Sequence, residues 1–340
     1  MVDKKERVKQ STRDGFGKAL LALGEENKNV VVLSADLTES VRAHWFRDKF
    51  PERFVSHGVA EQDMIGAAAG LALSGKIPFA TTFGAFAAGR AWDQVRVSVA
   101  YMNLNVNIAG THGGISVGGD GATHQALEEI ALMRILPHMT VVVPADGAEA
   151  FEATKQAAAI DGPVYLRLGR EAVPTLDQGS EFKIGKARVL TEGNDLTIIG
   201  CGCMVDAALE AADELTQKGI NARVINLHTI KPMDTETIVK AARETGAVIT
   251  AEEHSIFGGM GSAVAEVLAE EQVQARDMVG NLYHPEGGSV PQVFSPIKFE
   301  AADYRPDTAP PLLGADTDKI LGDLGYDAED IAGMRKNGII

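Results

Sequence analysis

Cysteine is almost missing from this chain: only Cys201 and Cys203 occur. One residue apart, they cannot bridge in ordinary strand geometry, so a disulfide framework is excluded. Two thiols without a framework suit a reducing cytoplasm. Basic charge is also short, with 32 Lys and Arg against 47 Asp and Glu and a formal net charge of −15. No basic stripe is available to neutralise phosphate, which argues against nucleic acid or an anionic membrane as partner. Small anionic substrates stay compatible, because a few local arginines outweigh the overall charge. No apolar run approaches the roughly 18 residues of a membrane span. The opening "MVDKKERVKQ" is charged throughout and carries no apolar signal-peptide core. The expected setting is soluble and cytoplasmic.

What is present reads as an α/β protein. A length of 340 residues predicts about two domains, each large enough to bury a core. "NVVVLSA", "KIPFATT", "LNVNIAG", "MTVVVPA" and "GPVYLRL" are nearly continuous apolar runs, the pattern of strands covered on both faces. Helical periods lie between them at Arg13–Glu26, Glu61–Ala72, Ala85–Ala100, Gln125–Leu136 and Ala148–Ile160. This alternation predicts a parallel sheet, with any active site at the carboxyl ends of its strands. The polar stretch from Gly169 to Gly185 reads as a linker. A second, smaller α/β unit follows, with strands at "DLTIIG", "NARVINL" and "GAVITAEE" and helices at Val205–Lys218 and Thr235–Thr245. After about Glu271 the pattern changes, and His284 to Gly314 is rich in Pro and Gly.

Several segments carry candidate chemistry. In "VSHGVAEQDMIGAAAG", Glu61 and Asp63 begin a helix that is otherwise apolar and small. Two carboxylates there can simply offset the helix macrodipole. Alternatively, Glu61 is a partly buried acid that shares its proton with a ligand nitrogen. The glycine-rich "THGGISVGGDGATHQ" follows a strand and gathers His112, Asp120 and His124 in one loop. Glycines admit a ligand close to the backbone, and the imidazoles and carboxylate can bind or protonate sugar hydroxyls. The alternative is a turn-rich loop with solvent-exposed histidines. No closely placed third ligand accompanies the histidines, which argues against a metal site. Arg13, Ser40 and Arg170 each sit at a strand end or helix start and are candidates for phosphate contact. Phe83 and Phe86 in "TTFGAF" read as core aromatics or as an aromatic pocket. Neither a Walker-type phosphate loop nor a dinucleotide fingerprint is present. "GGDG" at Gly118–Gly121 resembles the start of a diphosphate–magnesium motif, but the asparagine that motif requires does not follow.

Taken in order, "STRDGFGKAL", "SADLTES", "GVAEQDMIGAAAGLALSGKIPF", "TTFGAFAAGRAWDQVR", "THGGISVGGDGATHQALEEIALMR", "VVVPAD", "GPVYLRLGR" and "INLHTIKPMD" closely resemble the C-terminal half of transketolase. The likeness runs from about Gln10 to Ala269 and is to the form encoded as a separate subunit in many prokaryotes. It implies a pyrimidine-binding domain of a thiamine-diphosphate enzyme over residues 1–175 and a transketolase C-terminal domain over 186–271. Glu61 matches the family glutamate that hydrogen-bonds the aminopyrimidine ring and favours its imino tautomer. Phe83 and Phe86 match the pocket around that ring, and Asp36 matches a cofactor-side acid. Arg13, Ser40, His112 and Arg170 match the clamp on the sugar-phosphate terminus. Asp120 and His124 match groups that read sugar hydroxyls near the reacting carbon. Gly119 departs from the acidic residue common in that loop.

The resemblance also implies a partner. The half that binds the diphosphate and Mg2+ is not on this chain, so a separate N-terminal subunit is expected, in a heterotetramer. Retention of the whole set favours transketolase over two relatives that share the pyrimidine domain, the beta subunits of 2-oxo-acid dehydrogenases and deoxyxylulose-phosphate synthase. A non-catalytic fusion product acting as a scaffold is the remaining alternative. Residues 272–340 lack the usual final strand and turn of split transketolases and instead resemble the C-terminus of class III CoA-transferases. The nucleophile of that enzyme is not present, so no CoA-transferase activity is assigned. An extended or poorly packed tail is expected from about Tyr283, together with an open edge on the second sheet.

Overall fold

The computed structural model describes residues 7–176, 182–275, 279–284, 288–293, 314 and 316–340. The first strand, β1 (Lys9–Ser11), runs into helix α1 (Thr12–Glu26), which Ser11 caps by accepting from the Asp14 amide. Strand β2 (Val30–Ser34), helix α2 (His44–Lys49), β3 (Phe54–Ser56) and α3 (Glu61–Leu73) follow. Next is β4 (Ile77–Phe83). The single helix expected over Ala85–Ala100 is instead two π-helical stretches, Ala85–Arg90 and Val95–Ala100, around the short α4 (Trp92–Gln94). Such wide turns recur at functional sites. The chain continues through β5 (Asn107–Thr111), α5 (Glu129–Arg134), β6 (Thr140–Val142), α6 (Gly147–Ala157), β7 (Val164–Arg167) and β8 (Ala172–Pro174).

Helix α5 is shorter than the period over Gln125–Leu136 suggests. Ala126 is used elsewhere: it bridges Gly113 in parallel, and its carbonyl accepts from the Gly114 amide at 2.9 Å. The expected linker is structured in part. Within it β8 pairs antiparallel with β1, matching Lys9 to Pro174 and Ser11 to Ala172. Its segment 177–181 lies outside the described residues.

The second α/β part contains β9 (Arg188–Thr191), β10 (Leu196–Gly200), α7 (Met204–Gln217), β11 (Ala222–Asn226), β12 (Thr229–Lys231), α8 (Thr235–Thr245), β13 (Val248–Ala251) and α9 (Met260–Ala275). The first sheet has seven strands in the order β12-β6-β7-β5-β4-β2-β3, and the second has four, β13-β10-β11-β9. In the first sheet β12 alone runs antiparallel, against β6. A strand from the second part therefore completes the first sheet. One buried cluster joins the two parts, linking Ile65, Ile108 and Met133 with Ile199, Ile225 and Met260. On the opposite face of the first sheet, Phe79 of β4 shares a cluster with Phe16 and Leu20 of α1 and Phe46 of α2.

The chain divides into two compact units, Met1–Leu268 and Ala269–Ile340. In the second unit, β14 (Val279–His284) and β15 (Gly288–Val293) form an antiparallel hairpin. Helices α10 (Thr317–Asp323) and α11 (Ala328–Lys336) follow, and Asp327 and Asp330 form a capping box at the start of α11. The expected irregular, extended tail is thus corrected for these residues. Hairpin pairing and local capping stabilise these short elements. Most of the Pro- and Gly-rich stretch from His284 to Gly314 lies outside the described residues.

Candidate active site

Ser40, Glu61, His112 and Arg170 follow parallel strands of the first sheet (β2, β3, β5 and β7), and Arg13 follows β1 at the start of α1. Pairing of β1 with β8 explains how the ends of the first domain meet: Arg13 follows the former and Arg170 precedes the latter. Thr12 fastens the junction, its hydroxyl accepting from the Gly169 amide at 2.8 Å. Arg13 Nη1 donates to the Ser40 carbonyl at 2.9 Å and lies 3.5 Å from His112 Nε2. Ser40 thus joins the cluster through its backbone, not through its hydroxyl. Arg170 Nη1 donates to the Val117 carbonyl in the glycine-rich loop.

Positive charge gathers in this cluster. Burial, and then nearby Arg42, lower the pKa of Arg13. Asp14, which pairs with Arg42 at 2.6 Å, opposes the shift, and Arg170 and Glu171 act more weakly in opposite directions. Arg13 Nε is buried with no hydrogen-bond partner among the described residues. A buried donor left unpaired costs about 1–3 kcal/mol, and an anion would satisfy it.

His112 closes the other side. Its backbone is left-handed, with φ 59°, and the residue is 2% exposed. The ring lies 3.9 Å from the Phe83 ring, centre to centre, and Nδ1 is 2.9 Å from the Thr111 hydroxyl. Burial, and then the nearby Arg13, push its pKa down to about 4. His112 is therefore a neutral hydrogen-bonding group near pH 7, and the arginines supply the positive charge. His124 meets Phe83 and Phe86 edge-on, with centroids 5.8 and 5.2 Å away. Asp120 is exposed in the same loop, and its charge favours protonated His112.

Glu61, the first residue of α3, has a side chain 1% exposed. Arg90 Nη1 donates to both of its oxygens, at 3.0 and 2.9 Å. The same guanidinium lies 4.6 Å from the centre of the Phe86 ring. Phe86 in turn stacks near Phe83, with centroids 6.1 Å apart and planes 21° off parallel. A continuous surface therefore runs from Glu61 through Arg90 and the two phenylalanines to His112 and Arg13. Asp63, by contrast, is exposed and pairs with His57 at 2.7 Å. Only Glu61 of the two acids faces this surface.

Asp36 is not brought in by any contact. It is exposed after β2, with left-handed φ 55°, and makes no hydrogen bond or ion pair among the described residues. Arg90 is the residue that sequence reasoning missed. Its signal was its place four residues after Phe86 in a helical segment, a spacing that stacks side chains on one face.

Comparison with known proteins follows the same division. A family model for the transketolase pyrimidine-binding domain matches residues 8–175, and one for the transketolase C-terminal domain matches 185–301. The chain is 48% identical over 265 residues to a putative transketolase C-terminal section of Methanocaldococcus jannaschii, covering 77% of this chain and 83% of that one. It is 45% identical to a 6-deoxy-6-sulfo-D-fructose transketolase subunit of a Clostridium species, covering 79% of this chain and 86% of the relative. Among solved structures, an inactive β4 tetramer of a split-gene transketolase is 54% identical, with a TM-score of 0.72, over 77% of this chain and 86% of that one.

Proposed function

Because this chain belongs to the transketolase family, as the C-terminal subunit of the split form, we propose that it supplies half of a thiamine-diphosphate-dependent site. That site transfers a two-carbon ketol unit between sugar phosphates. The observation that carries this reading is the juxtaposition of Glu61 and its aromatic shelf with an arginine cluster whose buried Arg13 Nε lacks a partner.

The residues fit both ligands. A buried carboxylate beside nearly parallel phenylalanines suits an aminopyrimidine, and Arg13 with Arg170 suits a phosphate. When bound, thiamine diphosphate supplies the carbanion chemistry, while the protein sets proton position and orientation. Glu61 Oε1 or Oε2 would hold the proton shared with the ring nitrogen. Each of those oxygens accepts one bond from Arg90 and keeps a second lone pair for that contact. Phe83 and Phe86 exclude water from the flank of the ring. Arg13 and Arg170 fix the sugar's anionic end, with neutral His112 alongside, and Asp120 and His124 address its hydroxyls. Asp36 would act on the cofactor side. Diphosphate and Mg2+ fall to the N-terminal subunit, in a heterotetramer working in the pentose phosphate pathway of the cytoplasm. Among the described residues no helix is long and apolar enough to cross a membrane. The expected CoA-transferase likeness of residues 272–340 finds no support: the transketolase C-terminal domain model matches through residue 301, and residues 302–340 have no part in this reading.

A second reading comes from the sulfosugar relative: the same cluster would accept a sulfonate in place of phosphate. Purified chain, the diphosphate-binding subunit and both together are assayed for ketol transfer with phosphorylated and sulfonated sugars. Transfer is expected only from the mixture and with phosphorylated sugars. Transfer by this chain alone contradicts the reading, as does a cofactor-loaded complex that turns over only 2-oxo acids.

A further inference from the structure

The glycine-rich loop that carries Asp120 and His124 is held from outside its own domain. Glu253 follows β13 in the second α/β part, and its Oε2 accepts from the Ser116 hydroxyl at 2.9 Å. The same oxygen accepts from the Cys203 thiol at 3.1 Å. Burial, and then the Glu253 charge, push that thiol's pKa up to about 12, so Cys203 stays a neutral donor. The Glu253 side chain packs so closely on Gly114, at φ 91°, that a Cβ there would run into it. Its carbonyl accepts from Arg167 Nη2 at 2.6 Å, while Arg167 Nε pairs with buried Glu129 at 2.6 Å.

The next residues hold the loop's far end. The Ser255 amide donates to the Leu127 carbonyl at 2.8 Å, and the Ala131 amide to His254 Nε2 at 3.4 Å. The anchor is itself fixed, because Glu252 accepts from the Met260 and Gly261 amides at the start of α9, at 2.7 and 2.8 Å. Both ends of the glycine-rich loop are therefore tied to one short segment, residues 252–255, itself anchored on the start of α9. The side chains that would read the sugar hydroxyls lie between the ties.

We propose that Glu253 is a positioning residue, through which the C-terminal domain sets the shape of the loop that selects the sugar. This rests on the functional reading above, and it gives the C-terminal domain a share in substrate recognition as well as in packing. Cofactor handling, centred on Glu61, does not pass through these contacts.

The test compares Glu253→Ala, Glu253→Gln and Ser116→Ala in the full chain, first by amide hydrogen exchange and then in the complex with the diphosphate-binding subunit. Exchange in residues 114–126 is expected to rise about tenfold or more in Glu253→Ala, equivalent to about 1.4 kcal/mol. It should stay near wild type in Glu253→Gln, whose amide oxygen still accepts from Ser116. Ser116→Ala should loosen the loop less, and add nothing in the Glu253→Ala background. In the complex, KM for the acceptor sugar should rise about tenfold while cofactor affinity is unchanged. Unaltered loop exchange in Glu253→Ala overturns the proposal, as does a loss of cofactor affinity equal to the rise in KM. If Glu253→Ala does not fold, Ser116→Ala decides by the same two readouts. A wild-type complex without ketol transfer would defeat the functional reading instead, and the exchange data would still judge the tie.

Discussion

Arg13 and Arg170 show what a side chain's geometry contributes beyond its charge. The Arg13 fork already spends Nη1 on the Ser40 carbonyl and leaves Nε free, so a lysine could keep the charge but not both contacts. Arg13→Lys should raise KM for a sugar phosphate about tenfold or more with little change in stability, read from steady-state kinetics and a urea melt. The buried histidines set a pH limit. His112 is held near pKa 4 and His228 near 3, chiefly by burial, against an ordinary value of 6.5. Both are neutral in the fold, whereas the unfolded chain takes up protons as pH drops below about 6.5. Stability contributed by these rings is therefore full above pH 6.5 and falls as the pH approaches 4. Denaturation midpoints between pH 7 and 4.5 should drop less steeply in His228→Gln than in wild type. At this scale the candidate residues Glu61, His112, Arg13 and Arg170 were legible because they lie in recognisable segments, and their contacts with one another were not. Arg90 was legible only as a neighbour of Phe86, because nothing local tells that an exposed arginine reaches back to a carboxylate on another helix.

Among the elements, long periodic ones were readable and those formed by distant pairing were not. Helix α8 was expected over Thr235–Thr245 and is found there, with Asp234 as its cap. By contrast β1, β8 and β12 are each three residues long and exist only because a distant partner supplies their hydrogen bonds. Three residues hold too little periodicity to be recognised. The helix expected from Gln125 starts four residues later, because its first turn is drawn into the glycine-rich loop, where Ala126 bridges Gly113. Arg167 ties that loop's end to β7 through a buried pair with Glu129. Removing one partner of such a pair leaves an uncompensated buried charge, so Arg167→Ala should cost about 3–5 kcal/mol in a urea unfolding titration.

For the whole molecule, two sheets share one core and the second part donates a strand to the first sheet. Neither feature could be read from a chain that looks like two units in succession. The expected open edge can be located: among the described residues β13 pairs only with β10, and Ile249 on it is 52% exposed. Ile249→Lys should reduce concentration-dependent association in sedimentation velocity, because a charge on an edge strand discourages further pairing. Glu61 lies on one contact chain with the phenylalanines and the arginine cluster among the described residues. The proposal that this chain completes a site shared with another subunit gives Glu61 its part in the proton chemistry. The most direct measurement assembles Glu61→Gln chain with the diphosphate-binding subunit and follows assembly, cofactor content and ketol transfer together. Assembly should be unchanged and turnover should fall by about 10²–10⁴; a complex that retains full activity would contradict the claim.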